Sequence, residues 1–186
     1  MGMVIGISII GVPISCLAAW FFTRRYRRRT DRTKIRKLMV WGLVAYGLLV
    51  FFATAGLDLI MFGPYAFLPP VHLVNFIPFV WIQETYQMGF ARMIEQLLLN
   101  IAMFVPLGFL IPVCLPQCRK AGICLISLAG SSLFIEVLQY FIGRSADIDD
   151  LIMNVAGGML GWLIFKALQN TKWGKEVLLK DNTDSF

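Results

Sequence analysis

Apolar runs of about 20 residues recur along this chain, and that is the length an α-helix needs to cross a hydrocarbon core about 30 Å thick. Inside hydrocarbon every backbone N–H and C=O has to be satisfied within the protein, so such runs fold as helices and pack against one another. Five are read: Met3 to Phe22, Leu38 to Ile60, Ile94 to Leu115, Ala121 to Ile142 and Ile148 to Leu168. With 58% hydrophobic residues, 15% charged residues and a mean hydropathy of +0.72, the composition excludes an ordinary soluble domain. The expected fold is all-α, a polytopic integral membrane bundle of about five transmembrane helices.

Charge distribution orients the bundle. Nine of the seventeen basic residues lie between Arg24 and Lys37, read as a loop between the first two runs. Arg119 and Lys120 follow the third run, and Lys166, Lys172, Lys175 and Lys180 close the chain, leaving only Arg92 and Arg144 for the opposite face. Lys and Arg accumulate on the cytoplasmic side, so the N-terminus is expected outside and the C-terminus inside. The formal charge of +6 is thereby assigned to a membrane surface, with membrane lipids as partners and no nucleic acid. The chain divides into an N-terminal helix and basic loop (1–37), a transmembrane domain (38–170) and a polar tail (171–186), frayed after Lys175.

Between the second and third runs, Met61 to Met93 carries Pro64, Pro69, Pro70 and Pro78 among several aromatic residues. Prolines at that density break a straight helix, and aromatic rings favour the interface, so a re-entrant or interfacial outer segment is expected. Within the third run, Pro106, Gly108 and Pro112 predict a kink or a broken helix. Cys114, Cys118 and Cys124 surround the turn assigned to the cytoplasm, where disulfides are rare. The only histidine, His72, is far from them in sequence, so packing thiols are favoured and neither metal nor cofactor is expected.

The unusual chemistry is concentrated between Glu136 and Gly161, EVLQYFIGRSADIDDLIMNVAGGMLG. Ionisable groups within apolar runs are expensive unless they find partners or water. Asn100, Glu136 and Asn154 each lie about 9 Å from the outer end of their runs, at a rise of about 1.5 Å per residue. Asp147, Asp150, Asn154, Gly157 or Gly158, and Gly161 share one helical face. Gly157 and Gly161 form a small-xxx-small pattern that admits a neighbouring helix. Glu136, Gln139 and Tyr140 share a face on the preceding run. These positions predict an outward-opening pocket walled by runs three, four and five, with Arg144 at its rim. Simpler roles compete: Asp147 as a helix cap, Asp149 as favourable charge at a helix start, Asn100 and Asn154 as interhelical hydrogen bonds. For Glu136, a carboxylate inside a span, a functional role is favoured, with pairing to Arg144 or a proton held at neutral pH as the alternatives.

NFIPF (Asn75 to Phe79), NIAMFVPLGFLIP (Asn100 to Pro112) and the Glu136 to Gly161 stretch resemble, in order and spacing, the signature of VanZ-like membrane proteins. The resemblance covers roughly Leu73 to Phe165. It implies a bacterial plasma-membrane protein; the namesake of the family confers resistance to the lipoglycopeptide teicoplanin with little effect on vancomycin. Matching positions are Asn75, Pro78, Phe79, Asn100, Phe104, Pro106, Gly108, Glu136, Gln139, Arg144, Asp147, Asp150, Asn154, Gly157 and Gly161.

Three functions from different classes follow. The first is binding: the pocket holds a lipid-like anchor, either a lipoglycopeptide acyl chain or a polyisoprenoid cell-wall precursor, and protects the envelope. The second is catalysis on a lipid phosphate or glycolipid, with Glu136, Asp147 and Asp150 as general acid and base or cation ligands and Arg144 on the phosphate. The third is small-molecule transport coupled through Glu136. Binding is preferred, because no nucleophile stands at that depth and no inverted repeat supports transport.

Overall fold

Helices account for nearly every described residue of the chain in the computed structural model, which describes residues 11–29, 34–56, 74–79, 89–142 and 144–179. Helix α1 spans Val12–Arg29, and α2 spans Lys34–Phe51 before passing into a π turn at Phe52–Gly56. Helices α3 (Phe90–Cys114), α4 (Ala121–Phe141) and α5 (Ile148–Gln169) follow, and a single turn α6 (Lys172–Gly174) leads into a π turn at Lys175–Leu179. Among the described residues, Lys34–Gly56, Leu97–Cys114, Ala121–Phe141 and Ile148–Gln169 have the length and hydropathy to cross a membrane, and Val12–Arg24 is apolar but shorter. The protein is an all-α polytopic bundle, as its apolar runs require. The start of the expected first span (1–10), the end of the second (57–60), most of the expected interfacial segment with His72 (61–73 and 80–88) and residues 180–186 lie outside the described residues.

Three boundaries differ from the sequence reading. The stretch expected as a basic loop is largely helical: α1 continues to Arg29 and α2 begins at Lys34. Helix α3 starts four residues before Ile94, after Gly89, whose φ of 86° suits a residue without a Cβ. It also runs unbroken through Pro106 and Pro112. Pro106 leaves the carbonyl of Ala102 without its helical N–H, and beside it the Tyr46 hydroxyl donates to Met103 O at 2.9 Å.

Helices α3 and α5 form the closest pair. A Cβ on Gly157 would overlap the carbonyl of Ile101, and one on Gly161 the carbonyl of Val105. The contacts advance by four residues on both helices, so the two run parallel. Gly108 returns the fit from α3, since its Cβ would overlap the carbonyl of Gly158. Gly158 itself admits Leu128 of α4, which runs the other way between them. Around this seam Phe104, Leu107, Ile111, Leu128 and Ile135 form the core with Val50, Cys118 and Cys124. The cysteines are free thiols, as packing residues would be.

The end of the bundle where α3 stops is its basic end. Pro116 cannot supply an N–H to Pro112 O, so α3 terminates at Cys114 with its last carbonyls open. Arg36, buried at the start of α2, donates to Val113 O and to Cys114 O, the latter at 3.0 Å, while Arg119 Nε reaches Pro112 O at 3.4 Å. Two guanidiniums thus cap the negative end of the helix. Burial first, and then the charge of Arg36, draw Arg119 below the usual arginine range. The chain after Lys175 does not fray as expected: through Leu179 it is helical, and Leu178 is buried against Val113 and Phe165.

Two stability outcomes follow. Gly161→Leu should destabilise the fold by at least about 1 to 3 kcal/mol through overpacking at the α3–α5 seam, read as a lower unfolding temperature in detergent. Arg36→Met should cost about 1 to 3 kcal/mol for each buried carbonyl it strands, and Arg36→Lys should recover only part, because a single ammonium does not reproduce the fork.

Candidate functional site

At the opposite, acidic end the chain enters α5 through an extended residue. Ala146–Asp147 pairs in parallel with Val74–Asn75 as a two-residue ladder, β1 (Val74–Asn75) with β2 (Ala146–Asp147), which brings Asn75 beside Asp147. Asp147 is the N-cap of α5, with φ −125°, and its Oδ1 accepts the N–H of Asp149 at 2.9 Å. The same oxygen accepts Asn75 Nδ2 at 3.1 Å. The N–H of Asp147 donates in turn to Glu136 Oε2 at 3.0 Å, so the buried carboxylate of α4 holds the start of α5. The capping role of Asp147 and its place in the site are therefore one arrangement.

Asn75 also shapes the segment that follows it. Its Oδ1 accepts the N–H of Ile77 at 3.0 Å, the local bond by which Asn initiates a turn. That turn ends at Phe79, whose φ of 68° is unusual for a bulky side chain and costs on the order of 1 to 3 kcal/mol. The strained residue aims its N–H at Asp149 Oδ1, 2.7 Å away. The NFIPF segment is a strap fastened to α5 at Asp147 and Asp149, with Phe76, Ile77 and Phe79 exposed along it.

Other expected residues divide into three sets. Asn100 of α3 donates to Asp150 Oδ1 at 2.5 Å. Asn154 donates to Ser132 Oγ at 3.0 Å, and Ser132 is one turn farther from the acidic end than Glu136. The expected single depth for Asn100, Glu136 and Asn154 is thus replaced by two levels, because Asn154 bonds to α4 one turn farther from the acidic end than Glu136. Gln139 Nε2 and Arg144 turn toward α2, donating to Thr54 O at 3.3 and 3.0 Å in its terminal π turn. Arg144 is exposed, and its backbone N–H closes α4 onto Gln139 O at 2.9 Å. Pro106, Gly108, Gly157, Gly158 and Gly161 all serve the packing beneath.

Sequence reasoning missed Ser132, Thr54 and the engagement of Asp149. Ser132 was findable, since it precedes Glu136 by one turn on the same face. Asp149, read as charge at a helix start, is 6% exposed, and its Oδ2 finds no hydrogen-bond partner among the described residues. The same holds for Asn154 Oδ1, on a residue 2% exposed. Among the described residues, no three His, Cys, Asp or Glu side chains gather as a metal site requires.

Helices fit to cross a membrane, with carboxylates and amides buried where α3, α4 and α5 converge at one end, define a multi-pass membrane protein with a polar site of its own. Residues 38–169 match the family model described as VanZ/LLP1, and the chain belongs to that family. It is a VanZ-like membrane protein, of a kind linked to antibiotic resistance. No curated protein and no solved structure matches the chain.

Asn75→Ala removes both the donor to Asp147 and the acceptor for Ile77. It should release the strap while leaving the α3–α5 seam intact, seen as faster hydrogen exchange over residues 74–79 with an unfolding free energy lowered by about 1 to 3 kcal/mol.

Proposed function

We propose that the protein lies in a bacterial plasma membrane with its basic end in the cytoplasm, and that the polar cluster at its acidic end is an outward-facing site. The site binds a lipid-like molecule of the envelope, a membrane lipid, a polyisoprenoid cell-wall precursor or the acyl-bearing part of a lipoglycopeptide. Occupancy limits the access of teicoplanin to its target.

One observation supports this reading above the others. Asp147 by itself caps α5, yet the chain also buries Glu136, Asp149 and Asn154 around that helix start and holds Phe79 in a strained conformation to reach it. Helix termination does not call for so many buried polar groups, each of which is costly in apolar surroundings. The strap sets exposed apolar side chains, Phe76 at 78% exposure and Ile77 at 69%, beside that polar cluster. Apolar surface next to a few convergent polar groups suits an amphiphile.

Binding is favoured over catalysis by how the carboxylates are engaged. One oxygen of Glu136 and one of Asp147 are already spent on N–H groups of the site itself, which fixes them as structural acceptors rather than leaving them open as a general acid and base.

A sensitive host expressing the wild type should gain teicoplanin tolerance with vancomycin susceptibility little changed. Asp150→Asn, matched for membrane abundance by blot, should lose about tenfold or more of that gain, the effect of removing one charge-assisted bond. Equal protection against teicoplanin stripped of its acyl chain would overturn the lipid-like ligand.

A further inference from the structure

Resting on the reading of the cluster as a binding site, the pattern of donors and acceptors there identifies the chemistry of its ligand. We infer that the group received is a primary ammonium carried by an amphiphile, and not a phosphate.

Several donors that could hold an anion are already engaged within the protein. A helix N-terminus ordinarily attracts negative charge through its free N–H groups. At the start of α5 that role is filled from within, since Asp147 accepts from Asp149 N and Glu136 accepts from Asp147 N. The side-chain amides of Asn75, Asn100, Asn154 and Gln139 each donate to a protein oxygen. Among the described side chains, Arg144 is the guanidinium of the cluster, and it donates to Thr54 O at 3.0 Å.

Acceptors remain in excess. Asp149 Oδ2 and Asn154 Oδ1 are buried without a hydrogen-bond partner among the described residues. They bracket the Asn100–Asp150 pair along α5, one in the first turn and the other one turn beyond Asp150. Among the described side chains of the cluster, four carboxyls, Glu136, Asp147, Asp149 and Asp150, stand with Arg144. Buried acceptors of this kind call for hydrogen-bond donors, and an excess of carboxylate calls for positive charge. An ammonium brings both, with three N–H donors on one atom. An organic cation fits better than a bare metal ion, because no three metal-ligating side chains gather among the described residues. The exposed Phe76, Ile77 and Phe79 of the strap supply apolar surface for the rest of the molecule.

The test uses the full chain in nanodiscs, with lipid retention read by native mass spectrometry. Three probes separate the chemistry: phosphatidylethanolamine has charge and N–H donors, phosphatidylcholine has the charge alone, and phosphatidylglycerol has no cation. Phosphatidylethanolamine should be retained about tenfold or more over the other two, the value of one good charge-assisted bond. Asp149→Asn should erase that preference, since its amide oxygen can still accept from Phe79 while the charge is gone. Asn154→Leu provides a second variant should Asp149→Asn unfold. Displacement by ethylammonium would show that a free amine suffices, and resistance to it that the lipid chains contribute; either agrees with an ammonium site. Equal retention of all three lipids, lowered in Asp149→Asn, would overturn the ammonium and keep the lipid site. Equal retention unaffected by either variant would overturn both.

Discussion

Backbone contact between α3 and α5 is the constraint on which the rest depends. Gly157 and Gly161 let the carbonyls of Ile101 and Val105 approach where any larger residue would hold the helices apart, and Gly108 does the same from the other side. In lipid there is little hydrophobic gain from pressing two apolar helices together, so close van der Waals contact has to supply the association. Since the helices are parallel, the register set by the glycines also sets the register of the polar residues above them. Asn100 faces Asp150 because Ile101 faces Gly157.

Upon that seam the acidic end is built as a series of mutual dependencies. Glu136 holds the backbone of Asp147, Asp147 holds Asn75 and caps its own helix, and Asn75 turns the strap that carries Phe79 to Asp149. Two of these links, Asn75 to Asp147 and Phe79 to Asp149, join segments 72 and 70 residues apart, so the strap is fastened only in the assembled bundle. In such a series the loss of one bond is felt by the next, since each acceptor also positions a neighbouring donor.

The sequence made the helices and the glycine seam legible because period and length are local properties, readable from Gly157 and Gly161 without knowing what they touch. It likewise singled out Asn75, Asn100, Glu136, Asp147, Asp150 and Asn154, since polar groups in apolar runs are conspicuous. Their partners were another matter. A rise of about 1.5 Å per residue gives depth only if the helices stand level, and Asn154 meets Ser132 a turn below Glu136, because helix stagger is decided by side-chain contact between helices. The β1–β2 pairing spans 72 residues from Asn75 to Asp147 and involves only two residues per strand, too short for any alternation to announce it. Arg36 was hidden among eight other basic residues between Arg24 and Lys37, with nothing in its neighbourhood to mark it as the one that turns inward.

That arginine carries a consequence for how the chain is made. Its carbonyl partner Val113 lies 77 residues downstream, so the contact forms only once α3 has been made. The basic end is thus closed by a bond between the start of one helix and the finish of another, and α2 and α3 are tied at that end only when the chain between them is complete.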